Sequence, residues 1–360
     1  MAATIKDVAR LAGVGLGTAS RVISGKGSVA PATAKRVRRA IEQLNFRPSH
    51  AARSLLSGST QMIGVYIPIL KGTYYTPILQ TIDGALRAGG RHMVVAFGHG
   101  LVDERRQAIE GAQFLINRDC DGLIVMSNTL LEKDIVELGR EQPNIVVLNR
   151  VFESINEQCF SVDHHQGGVA AAQALLQHQH REFAVISGPA SSPDNTARIA
   201  GFMQELQRQG VDPKSVRTFD SDFSPEGGYV CARALLASGH RFTAVFCAND
   251  EMAVGLLSYF HQAGISVPGQ VSVLGYDDTS SAEYSAPRLT SVHIPLREVT
   301  VSGLNCLLNR CYDSFLPVTR EFPINVTWRA SVAIPPARRG QAPGGPGKAR
   351  SGIVSSVQVT

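Results

Sequence analysis

Apolar residues recur at helical spacing three times within the first fifty positions, and short β-branched runs then replace them. Ile5, Val8, Ala9 and Ala12 share one helical face, and Thr4 followed three residues later by Asp7 fits a capping box. The first helix is therefore predicted from about Ile5 to Ala12, with Gly13 taking the left-handed conformation that ends it. Val14, Thr18, Ala19, Val22 and Ile23 form a second apolar set, so the pattern reads helix, tight turn, helix. Ser24-Gly25-Lys26-Gly27 breaks it, Pro31 suits the first position of another helix, and Val37, Ala40, Ile41 and Leu44 supply a third stripe.

After Thr60 the period changes. MIGVYIPIL, HMVVAF, DGLIVM and NIVVLNR are strand-like runs separated by helix-length stretches, and FSVD, FAVISG, AVFCAND and VSVLGYDD repeat the alternation. Two successive βα series predict an α/β body of two parallel-sheet subdomains. In such sheets ligands bind beyond the carboxyl ends of the strands, which directs attention to the residues just after each run. These are Tyr74, Tyr75, Asn128, Asn149, Arg150, Asp163, Arg198, Asn249, Asp250, Tyr276 and Asp277. Aromatic faces beside planar amides, carboxylates and a guanidinium suit a polyhydroxylated ligand, with rings on C–H faces and polar groups on hydroxyls. Asp163, Asp250 and Asp278 fit helix capping or structural contacts equally well.

Charge sharpens the division of labour. The chain of 360 residues carries a formal net charge of +5, but residues 1 to 59 hold ten Lys or Arg against only Asp7 and Glu42. Residues 337 to 360 add Arg338, Arg339, Lys348 and Arg350 with no acid, so the body between is acidic. A basic head on an acidic body favours a polyanionic partner for the head. In a helix-turn-helix the second helix enters the major groove, which here would expose Gly15, Leu16, Gly17, Ser20 and Arg21. Arg21 suits guanine or phosphate, Leu16 thymine methyls, and Thr18 and Ser20 phosphate oxygens; Thr4 completes the DNA-facing set. Glycine at positions 15 and 17 costs helical propensity, and bare backbone that approaches phosphate closely would explain it as well as drift would.

Other chemistries find little support. Gly15-Leu16-Gly17 lacks the third glycine and the preceding strand of a dinucleotide site, and neither G-x-S-x-G nor a P-loop occurs. The six cysteines are scattered without C-x-x-C, and His164-His165 and His178-x-His180 lack further ligands at metal spacing. No enzyme, cofactor or metal site is expected, and the histidines read as surface or capping residues. No apolar stretch reaches the ~18 residues of a membrane span and no signal peptide precedes the head, so a cytoplasmic, nucleoid-associated protein is expected.

TIKDVARLAGV, TASRV and NFRPSHAARSLLSG resemble the lactose-repressor family of bacterial transcription regulators, and the resemblance extends to about residue 335. Gly15 stands where the family has a capping serine, Ala19 where it has valine, and Phe46 where it has tyrosine. The resemblance implies an all-α helix-turn-helix head (1–48), a hinge helix and linker (49–60), and a periplasmic-binding-protein-like body (61–336) with doubly wound parallel sheets. Within the body it implies an N-subdomain of about 61–160 and 292–321 and a C-subdomain of about 161–291 and 322–336. SVHIPLREVTVSGLNCLLNRC and FPINVTWRAS would cross between them. Residues 337–360, Gly/Pro-rich and basic, read as a disordered tail without the leucine heptads of a tetramerisation helix.

The resemblance also assigns roles. The two turns of residues 49–57 are too short for a stable isolated helix and would fold on DNA, with Leu55 as a minor-groove wedge, Ala52 packed at the groove and Arg53 at phosphate. Tyr74, Tyr75, Asn149, Arg198, Asn249 and Asp277 would contact the effector. The NR that follows NIVVL looks closest to galactose and aryl-β-glucoside repressor types rather than to a purine-responsive one. The expected partners are palindromic double-stranded operator DNA, a sugar effector and a second copy of the chain.

Overall fold

Three helices open the structure, a computed structural model that describes residues 3–24, 28–46, 59–98 and 103–336. They are α1 (Ile5–Ala12), α2 (Leu16–Ser24) and α3 (Pro31–Gln43). The Thr4–Asp7 capping box forms: Thr4 N and Oγ1 donate to Asp7 Oδ2 at 3.0 and 2.7 Å. Gly13, at φ +61°, ends α1 in the left-handed region, where a side chain would be strained. Val14 N then donates to Ala9 O at 3.0 Å, which sets the turn into α2. Val8, Ala9, Ala12, Ala19, Val37, Ala40 and Phe46 make the small core of this head. The expected hinge with Ala52, Arg53 and Leu55, and the tail 337–360, lie outside the described residues.

The chain divides into two units. The first comprises Met1–Ile69, Ile82–Val147 and Leu304–Leu316; the second comprises Leu70–Thr81, Leu148–Gly303 and the chain from Pro317 onward. In chain order the next elements are β1 (Met62–Ile67), α4 (Tyr75–Ala88), β2 (His92–Phe97), α5 (Glu104–Ile116), β3 (Gly122–Val125), α6 (Glu132–Glu141), β4 (Ile145–Leu148) and β5 (Cys159–Phe160). Their sheet has the order β2-β1-β3-β4-β5, and β1 pairs in parallel with both β2 and β3. Ile63, Val65, Leu115, Leu123, Ile124 and Val146 are fully enclosed beside it.

The second series continues with α7 (His164–Gln177), β6 (Phe183–Ser187), α8 (Pro193–Arg208), β7 (Arg217–Asp220), α9 (Pro225–Ala237), β8 (Ala244–Cys247), α10 (Asp250–Gln262), β9 (Ser272–Asp277), α11 (Ser280–Tyr284), β10 (Thr290–His293), α12 (Leu296–Tyr312) and β11 (Asn325–Thr327). The sheet order is β11-β10-β9-β8-β6-β7, parallel throughout except for β11. Phe202 of α8 stacks on Phe246 of β8 at 4.7 Å and meets Phe183 of β6 edge-on at 6.1 Å. β7 was not signalled by any apolar run, because it is a largely exposed edge strand. The SVHIP and FPINVTWRAS segments contribute β10 and β11.

Glycines set how closely the helices of the second unit approach. A Cβ on Gly168 of α7 would collide with the backbone of Arg198 and Phe202 in α8, and one on Gly201 with the backbone of His165. Gly228 of α9 and Gly255 of α10 repeat the arrangement, against Met252 and Pro225. Two pairs of helices thus touch backbone to backbone, which holds the start of α7 against the Arg198–Phe202 stretch of α8. Among the described residues no helix is long and apolar enough to cross a membrane.

Candidate functional site

In the second sheet the chain reverses its direction of winding between β6 and β8, the switch point beyond which open α/β sheets hold ligands. The turn after β6 is fixed by Asn195, whose Oδ1 accepts from Gly188 N at 2.9 Å while Nδ2 donates to Ser187 Oγ at 3.1 Å. That turn seats the start of α8 and brings Asp194 and Arg198, one helical turn apart, over the strand ends.

Arg198 is only 3% exposed. Nη2 donates to Asp194 Oδ2 at 2.9 Å, Nη1 donates to the Ala248 carbonyl, and the guanidinium lies 4.0 Å from the centre of the Tyr276 ring. Burial opposes its charge, but Asp194, Tyr276 and Asp277 outweigh burial and hold it above its ordinary value. Burial would likewise raise Asp194, and Arg198 reverses that, so the carboxyl stays below its usual range. The pair is a buried, hydrogen-bonded ion pair.

His164, the first residue of α7, joins this pair to Asn149 at the end of β4. Its Nε2 lies 2.7 Å from Asn149 Oδ1 and its Nδ1 lies 3.0 Å from Tyr276 Oη, while Asn149 Nδ2 donates to Asp194 Oδ2 at 3.2 Å. Arg198 Nη2 also approaches His164 Nδ1, at 3.4 Å. Asn149, His164, Arg198 and Asp194 therefore form a closed polar ring. Burial first, and then the Arg198 charge, lower the His164 imidazole to about 3, so the ring nitrogen facing Arg198 is an acceptor. The expectation of a surface or capping histidine fails here: His164 is buried inside the ring.

Asp277 closes the arrangement from the end of β9. Its backbone is at φ +102°, a strained conformation of the kind that collects at binding sites. Its Oδ1 is buried, has no hydrogen-bond partner among the described residues, and stands 4.0 Å from Arg198 Nη1. Burial pushes its carboxyl well above the ordinary range, against the pull of Arg198. Tyr74 lies nearby: burial and then the Asp277 charge raise its phenol well above 10.0. Tyr75 packs edge-on against Tyr74 with centroids 5.1 Å apart.

The remaining expected residues have other surroundings. Asn249 caps α10, accepting from Met252 N at 2.9 Å and donating to the Phe223 carbonyl at 3.0 Å, so its amide holds the β8–α10 turn. Tyr276 is fully buried, with its hydroxyl on His164 and its ring under Arg198. Asn128 follows β3 in the first unit and is half-buried. Asp163 caps α7 through Gln166 N. Asp250 holds Thr279 and Ser291, and Asp278 binds Arg329, His293 and Thr327. His180 is buried rather than exposed, with Nδ1 at Thr243 and Nε2 at Ser272 and the Ala333 carbonyl. Among the described residues no group of three or more His, Cys, Asp or Glu could hold a metal.

On the head, Leu16, Gly17 and Arg21 are exposed, and Thr18 and Ser20 are half-exposed. A Cβ on Gly15 or Gly17 would meet nothing within 4 Å, so the packing of the head itself does not require either glycine. Arg21 Nε folds back to donate to the Gly17 carbonyl at 3.2 Å. Thr4 is exposed, with its hydroxyl engaged in the α1 cap.

Residues 4–49 match the bacterial regulatory proteins of the lacI family, and residues 172–332 match the periplasmic binding protein-like domain. A LacI-family transcriptional regulator from Burkholderia phymatum is 50% identical over 76% of this chain and 99% of its own, with a TM-score of 0.74. The lac repressor dimer bound to operator and the anti-inducer ONPF is 25% identical over 92% of this chain and 100% of its own, with a TM-score of 0.79. The complex of the transcriptional regulator CelR with cellobiose is 29% identical over 91% of this chain and 99% of its own, with a TM-score of 0.64. The chain belongs to the lacI family of bacterial regulatory proteins: it is a transcriptional regulator with a helix-turn-helix DNA-binding head and a periplasmic-binding-protein-like body.

Proposed function

We propose that this regulator binds palindromic operator DNA as a homodimer in the cytoplasm, and that a small carbohydrate held at Arg198 and Asp277 controls its operator affinity. The observation that carries the effector reading is the gap of 4.0 Å between Arg198 Nη1 and the unsatisfied Oδ1 of Asp277. A hydroxyl group both donates and accepts, so one placed there completes both residues. Tyr74 and Tyr75 supply aromatic faces for the apolar side of a sugar ring. Asn149, Tyr276 and Asn249 act chiefly by holding this pair in place, and Asn128 is a further candidate effector contact. The cellobiose complex of CelR supports a sugar, and the lac repressor dimer on its operator supports a dimeric reader.

In the head, Leu16, Gly17, Thr18, Ser20 and Arg21 present one surface of α2 to the major groove, and a two-fold pair of heads matches two half-sites. Effector and operator that favour different conformations of the body alter each other's affinity reciprocally. The body is read as a binding module without catalysis. A thermal-shift screen of the full chain against mono- and disaccharides, cellobiose among them, tests the effector reading. A bound sugar at about a hundred times its Kd adds about 2.7 kcal/mol, roughly a 4 to 7 °C rise. Asp277→Asn should lose that rise; a screen without any shift contradicts the reading.

A further inference from the structure

Asp121, the residue just before β3, gathers donors from both sides of the first unit. Its Oδ2 accepts from Gln61 N at 2.8 Å, from Tyr312 Oη at 2.7 Å and from Ser59 Oγ, and its Oδ1 accepts from Thr60 N at 2.8 Å. The Thr60 hydroxyl is shared between Asp121 Oδ1 and the Asp119 carbonyl. Gln61 has φ +57°, the local reversal that lets two successive backbone N–H groups face one carboxylate. Burial opposes ionisation of Asp121, but the hydrogen bonds from Ser59, Thr60 and Tyr312 outweigh it and keep the carboxyl below its ordinary value. On the other side, Arg91 stacks on the Tyr312 ring at 4.1 Å and Cys311 Sγ donates to the Asp121 carbonyl at 3.2 Å.

Residues 59–61 are where the chain arrives from the head, and Tyr312 ends α12, the helix in which the chain passes from the second unit back to the first. We propose that Asp121 is the fixed post of the head-to-body linker, a positioning residue that gives the linker a defined origin and direction for operator binding. Releasing residues 59–61 would lengthen the tether by only a few residues, which changes loop closure less than twofold. Any larger effect must come from lost direction, because a tethered module engages its site only when the geometry permits.

This inference rests on the operator-binding reading above. Its test uses the full chain and a palindromic duplex enriched by it from random sequences, with binding followed by fluorescence anisotropy across a salt series. Asp121→Asn makes the chain more positive, which by charge alone tightens DNA binding. The expected result runs against charge: roughly tenfold weaker binding with a shallower salt dependence, because linker contacts to phosphate are lost while those of the head remain. Destabilisation of the body alone would leave the salt slope unchanged. Should Asp121→Asn fold poorly, the double variant Ser59→Ala, Thr60→Val removes the side-chain donors and is expected to weaken binding in the same direction. Wild-type affinity and slope in these variants overturn the anchor alone. A chain that enriches no duplex overturns the operator reading and the anchor with it.

Discussion

His164 Nε2 and Asn149 Oδ1 lie 2.7 Å apart, and this hydrogen bond sets the tautomer of the imidazole. Asn149 Nδ2 is committed to Asp194, so Oδ1 faces the imidazole and Nε2 carries the hydrogen. Nδ1 is then an acceptor for Tyr276 and Arg198. A protonated imidazole would place two like charges in contact inside the protein.

The folded imidazole is lowered from 6.5 to about 3, so on acidification the unfolded chain takes up the proton first. The stability contributed by neutral His164 is therefore complete above pH 6.5 and is lost as pH falls toward about 3. NMR should find the His164 ring signals unchanged from about pH 8 to about pH 5. A titration midpoint near the ordinary histidine value would show that the ring of hydrogen bonds is wrong.

Removing the guanidinium leaves Asp194 buried without its partner. Arg198→Ala should destabilise the protein by about 3 to 5 kcal/mol, read from denaturant unfolding, and should abolish sugar binding. Arg198→Lys restores charge but neither the planar stack on Tyr276 nor the fork toward Asp194 and Ala248, so sugar binding should stay lost. Full recovery by lysine would show that charge alone matters.

Two glycine-to-alanine changes should act in opposite directions. At Gly168 the added methyl meets the Arg198 carbonyl, and overpacking of about 1 to 3 kcal/mol exceeds the ~0.5 to 1 kcal/mol gained in helical propensity. Gly168→Ala should therefore lower the melting temperature and, by displacing Arg198, weaken sugar binding. A variant as stable as the parent would mean that α7 and α8 separate easily.

At Gly17 the methyl enters open space, so Gly17→Ala should raise the stability of the head by up to ~1 kcal/mol. If the bare backbone serves close approach to phosphate, operator affinity should fall despite the gain. A uniform rise in affinity across all duplexes would remove that role.

Much of this was legible in the sequence. The Thr4–Asp7 cap, the Gly13 stop and Pro31 at the start of α3 are local signals, and each fell where its chemistry required. Seven of the eight apolar runs became strands, because buried parallel strands must be apolar on both faces; of FSVD only Phe160 is in a strand, β5, and it joins the first sheet rather than the second. β7 was invisible for the converse reason: Arg217, Thr218 and Asp220 are exposed at the edge. Arg198 and Asp277 were legible as polar residues after strands and through family resemblance, whereas His164 was not. Its burial depends on Asn149, Tyr276 and Arg198 converging from three separate elements, and no local spacing encodes that. The amide of Asn249 looked like a ligand contact for the same reason that it makes a good cap, since both uses require a planar donor and acceptor at a strand end.

The most direct test of the account is operator affinity measured with and without sugar. Fluorescence anisotropy of the full chain with its enriched palindromic duplex should show affinity that falls steeply with salt, and the sugar that raises the melting temperature should change it roughly 5- to 150-fold. Operator affinity that is identical with and without every sugar that stabilises the chain would contradict the link between the Arg198–Asp277 site and the head.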